Sequence, residues 1–68
     1  MLEAISEQNN VRLTIVSAGQ ELGYYLYVFD LYEKSSKADH LCDNLQQAYY
    51  IAKEDYNISK EDFSIVPD

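Results

Sequence analysis

The stretch from Asp43 to Ile58 constrains this chain most, because it spells one amphipathic helix with its own start and stop. Asp43 can accept from the unpaired backbone N–H groups of a first turn, and Gln46 three residues on completes a capping-box pair. The helix is therefore expected to begin near Asn44. Leu45, Ala48, Tyr49, Ala52 and Tyr56 recur at i, i+3, i+4, i+7 and i+11, a single stripe at about 3.6 residues per turn. Gln46, Gln47, Lys53 and Glu54 fall elsewhere. Asn57 can adopt the left-handed conformation that ends a helix, with Ile58 placed to fold back onto the last turn. Two alanines in the stripe imply close approach, which a flat sheet offers better than a second long helix.

Strands are expected before and after it. Val11 to Val16 alternates apolar and polar with β-branched residues, which points Val11, Leu13 and Ile15 inward. Ser17 to Gly23 holds two glycines and the polar pair Gln20-Glu21, a composition for chain reversal. A hairpin follows, and its second strand runs from Tyr24 to Tyr32. Tyr25, Tyr27, Phe29 and Leu31 share one face of that strand; Tyr24, Leu26, Val28, Asp30 and Tyr32 share the other. Both faces are apolar. One helix covers one of them, leaving the other for the N-terminal arm or for contact.

Glu33 to Asp39 reads as an exposed loop, His40 to Cys42 as a short third strand, and Ser59 to Asp62 as a turn, with Ser59 placed to cap one helical turn. Phe63 to Val66 forms a last strand that Pro67 stops. Within residues 1–10, Leu2 and Ile5 are spaced by three, which suits either a frayed helical turn or a loose extended arm, and no firm structure is assigned there. The order β, β, (β), α, β predicts a single α+β domain. Its three- or four-stranded antiparallel or mixed sheet carries one helix on one face.

At 68 residues, with one cysteine and hence no internal disulfide, the core or a second subunit has to supply the stability. A net charge of −7 argues against direct binding to nucleic acid or to an anionic membrane, because both interactions depend on Lys and Arg meeting phosphate. A basic protein partner suits that charge better. The chain is nevertheless 47% hydrophobic and 13% aromatic, which is the composition of a folded domain. No run of about 18 apolar residues is present, and residues 1–7 lack the basic start and apolar centre of a secretory signal. A cytoplasmic location is expected.

Chemical motifs fail on geometry. A calcium loop starting at Asp55 would put Asn57, Ser59 and Glu61 at ligand positions. It would also put Lys60 where a glycine must turn the chain and Val66 where a bidentate Glu is needed. Asp39, His40, Cys42 and Asp43 are metal-competent, but no second His or Cys pair completes a zinc site. As a nucleophile, Cys42 would need a positive environment, and Asp39 and Asp43 give it a negative one. No glycine-rich phosphate loop or nucleophile elbow is present. Neither catalysis nor a cofactor is expected.

Tyrosine, at seven residues, is the compositional signal that stands out. Tyr49 and Tyr56 belong to the core stripe. Tyr50 projects about 100° away from Tyr49, among Gln46, Lys53 and Glu54, with no core reason to be aromatic. The partner-binding residues expected are therefore Tyr24, Tyr32 and Tyr50 as anchors, with Glu54, Glu61 and Asp62 as steering charges.

The pattern Asp43-x-Leu45-x-x-Ala48-x-x-x-Ala52-x-x-x-Tyr56-x-Ile58, followed by Phe63-Ser64-Ile65, resembles the helix and last strand of small uncharacterised bacterial domains, some from toxin-immunity or phage-related settings. The resemblance spans residues 39–66 and implies a compact bacterial domain with no catalytic residues to carry over. Together these features point to a small acidic protein-binding domain, an inhibitor or immunity-like factor acting on a basic partner. The alternative is a homo-oligomer, such as a homodimer, that uses the Tyr24–Tyr32 strand as its interface.

Overall fold

A computed structural model describes residues 1–19 and 22–67. Among them, β1 (Leu2–Ser6), β2 (Val11–Ser17), β3 (Tyr24–Asp30) and β4 (Ala38–Cys42) precede helix α1 (Leu45–Tyr56). A 3₁₀ turn (Lys60–Asp62) and β5 (Ser64–Ile65) follow it. The strands form one sheet in the order β4-β3-β2-β1-β5, every neighbouring pair antiparallel. The first four strands make a meander, and α1 then carries the chain across one face to the far edge. This is an α+β fold with one helix on a five-stranded sheet.

The N-terminal segment is a strand, where the residues left a frayed helical turn or a loose arm open. Leu2 and Ile5 suggested a helical spacing, but Leu2 pairs with Ile15 and Ile5 with Arg12, so the two residues lie on opposite faces. Asn10, at φ 56°, then turns the chain into β2. The reversal between β2 and β3 is closed by the Ala18 N–H donating to the Gly23 carbonyl at 2.9 Å; Gln20 and Glu21, assigned to it from sequence, lie outside the described residues. β3 stops at Asp30, two residues short of expectation. Its partner β2 begins at Val11, opposite Asp30, and the Glu33 N–H bonds back to the Asp30 carbonyl at 3.0 Å, turning Leu31 and Tyr32 out of the sheet.

α1 begins one residue later than the Asp43 cap implied. Two overlapping capping patterns stand in the sequence, and the chain uses the second. The Gln47 N–H donates to Asn44 Oδ1 at 2.8 Å, and Gln47 Oε1 accepts from the Asp43 N–H at 2.6 Å. At the other end Asn57 is left-handed, as its residue type predicts, and the Ile58 N–H donates back to the Ala52 carbonyl. Asn9, in the β1–β2 turn, adds a bond from Nδ2 to the Tyr56 carbonyl at 2.7 Å and ties that turn to the helix end.

The core lies between α1 and one face of the sheet. Leu13, Ile15, Leu26, Val28 and Cys42 are fully buried from the sheet side, and Ala48 and Ala52 from the helix. Leu45, Tyr49, Ile51 and Tyr56 flank them. Phe63 closes the far side, its ring tilted against Tyr49 with centroids 5.4 Å apart. One backbone approach allows the start of β3 to pass close to the end of β4: Gly23 has φ +95°, and any Cβ there would overlap the Cys42 carbonyl. Gly23→Ala is therefore expected to destabilise the fold by roughly 2 kcal/mol or more, read as a lower urea midpoint with unchanged slope.

Candidate binding surface

The strand registers place a second set of side chains on the face away from α1. Three rows cross the sheet there: Ile5, Arg12 and Phe29; then Ser64, Glu3, Thr14, Tyr27 and Asp39; then Val16, Tyr25 and Leu41. Among the described residues no helix or strand packs over these rows. The side chains shelter one another instead. Thr14, in the middle, is buried at 4% exposure, while Tyr25, Tyr27, Phe29 and Val16 are half-buried. At two corners Ile5 (55%) and Leu41 (60%) project into water.

This face is ordered by its own contacts. The Tyr25 and Tyr27 rings stack at 5.6 Å and 26°. The Arg12 guanidinium lies 4.2 Å above the Phe29 ring, pairs with Glu3 at 3.5 Å and donates to the Glu33 carbonyl at 3.1 Å. Positive charge on the face is thus already engaged. What remains is a flat aromatic surface with apolar corners and one edge carboxylate, Asp39.

The anchors expected from sequence are not brought together. Tyr24 is half-buried on the covered face, packed against the core beside Cys42, its partner in the register. Tyr32 stands in the turn after β3, 89% exposed. Eight residues of nearly extended chain put those two tyrosines about 20 Å or more apart. Tyr50 is 64% exposed on the outer side of α1, one turn before Glu54. Glu61 and Asp62 belong to the 3₁₀ turn, and Asp62 faces its own backbone, accepting from the Ser59 N–H at 2.9 Å. The chain thus has two unlike sides: the carboxylates Asp43, Glu54, Asp55, Glu61 and Asp62 accompany the helix layer, and the aromatic rows lie behind the sheet.

Residue pattern held a signal for this division. Leu26 and Val28 are aliphatic and can be dried completely beneath two alanines. Tyr25 and Tyr27 carry hydroxyls that are best left in water, and their parity marks the open face. Arg12, Thr14, Ile5 and Leu41 join it through strand register, which no local pattern states.

Cys42 and His40 share the helix side of β4. Burial, and after it the Asp43 carboxylate, pushes the Cys42 thiol above its ordinary pKa, so the neutral form persists through neutral pH. Across the β3–β4 loop, Lys37 Nζ bonds to Asp30 at 2.8 Å, which raises the lysine pKa at an exposed site. Among the described residues no three His, Cys, Asp or Glu side chains are grouped to hold a metal ion, and no helix is long and apolar enough to cross a membrane.

Comparison with protein-family models, with characterised proteins and with solved structures yields no match to this chain. The raised thiol gives a direct check. Its stabilising neutral form is held below the ordinary thiol pKa and lost as pH climbs through the raised one. At pH 7 a disulfide reagent should label Cys42 slowly in the native protein and at the rate of a free thiol in urea; equal rates in both would contradict its burial.

Proposed function

We propose that this chain is a small acidic protein-binding domain that acts by contact and without a catalytic step. The observation that carries this reading is the open sheet face, where Tyr25, Tyr27 and Phe29 form a rigid aromatic floor between exposed Ile5 and Leu41. Tyrosine and phenylalanine on a strand expose large area with few rotamers to freeze, which makes such a floor a good contact surface. Contiguous apolar patches of a few hundred Å² on a folded chain commonly mark interaction sites.

Charge supplies the second part. The net −7 and the carboxylates on the helix layer favour a basic protein, drawn by the long-range field and met beside Tyr50 and Glu54. An inhibitor or immunity-like factor that blocks a basic bacterial protein fits that acidic side. Nothing in this reading calls for a cofactor, nucleic acid or a membrane.

A photoreactive phenylalanine analogue at Tyr27, at Tyr50 or, as a control, at loop residue Ser35 tests the proposal in the native cell. Protein adducts should form several-fold more at Tyr27 and Tyr50 than at Ser35. Adduct levels at both sites no higher than at Ser35 would refute it.

A further inference from the structure

We propose that the open face is closed by the same face of a second copy of this chain, giving a dimer with two sheets inside and two helices outside. The inference rests on the open face being a docking surface, and it names the occupant.

Charge favours a like face over a foreign one. The Arg12 guanidinium is already engaged by Glu3, the Phe29 ring and the Glu33 carbonyl, so the face offers a charged partner of either sign little to pair with. Asp39 is the remaining charge, and it lies on edge strand β4, at the polar rim of any pairing. The surface is nearly neutral and aromatic, and so is its own copy.

Five of the twelve acidic residues of each chain, Asp43, Glu54, Asp55, Glu61 and Asp62, accompany the helix layer and do not oppose this arrangement strongly. Packed sheets lie about 10 Å apart, and each helix lies roughly another 10 Å outward. The carboxylates of the two helix layers are then separated by about 30 Å, some three screening lengths at 0.1 M salt. They also stay free to meet a basic partner on the outside of the dimer.

Size sets the strength. Four strands at about 4.8 Å spacing and about 23 Å length project roughly 400 Å² per copy. With the relief of Tyr25, Tyr27, Ile5 and Leu41 added, two such faces reach about the 1,200 Å² total at which specific interfaces begin. The expected dimer is correspondingly weak, with a dissociation constant in the micromolar range.

Sedimentation equilibrium of the purified chain from about 1 to 300 µM tests this, a range that brackets micromolar association. The mass should rise from 7.9 kDa toward twice that value, and added salt should raise it further by screening like charges. Amide chemical shifts that move with concentration should be confined to the open-face residues of β1 to β4, a readout on the unaltered protein. Ile5→Glu with Leu41→Glu, at two exposed positions, should hold the mass at one chain with an unchanged circular dichroism spectrum.

A one-chain mass throughout overturns the inference, as does a dimer that the double variant leaves intact while the shifts fall on α1. If a one-chain mass accompanies foreign-protein adducts at Tyr27, the inference fails and the binding function stands. A one-chain mass with no adducts above the Ser35 control at either site removes both.

Discussion

A helix of 12 residues offers one apolar stripe, and one stripe can dry one side of a sheet. Everything else in this chain adjusts to that limit. Ala48 and Ala52 let the helix lie close against Leu13, Leu26 and Val28, so the covered side packs to full burial with small residues. The other side has no second layer among the described residues and is organised laterally. Ring lies on ring, guanidinium on ring, and Thr14 is sheltered by its neighbours' long side chains.

Chains of about this length bury only some 60% of their unfolded surface, so bonds at the margins count for more than they would in a larger domain. Several of those bonds tie together segments distant in sequence. Asn9 holds the end of α1 to the first turn of the sheet, and the Leu31 N–H donates to the Asn10 carbonyl at 3.1 Å, linking that turn to the chain leaving β3. Asn9, Asn10, Asn44 and Asn57 each act through a short amide or a left-handed backbone, which explains their concentration at the element ends.

The helix, its stop at Asn57, strands β2 and β3 and the α+β class were legible because each rests on periodicity or on a local turn residue. β1 was not. Its inward residues are Leu2 and Ala4, its outward ones Glu3 and Ile5, and an apolar residue on each side erases the alternation that marks a strand. Capping was ambiguous for a related reason: Asp43-x-x-Gln46 and Asn44-x-x-Gln47 both satisfy the rule. The existence of an uncovered face followed from counting helices, but its composition did not. Tyr24, expected as an anchor, turns to the covered side opposite Cys42, and Leu41 joins the open face opposite Tyr25.

Strand β5 pairs with β1, and the Val66 N–H donates to the Met1 carbonyl at 2.8 Å. Both ends of the described chain therefore emerge side by side at the sheet edge opposite β4. A short peptide joining them would close the backbone into a ring without disturbing a single strand pairing, and closing so small a gap carries little entropic penalty. In such a circular molecule the exposed β3–β4 loop would be the natural place for new termini, leaving both the helix side and the aromatic side unobstructed.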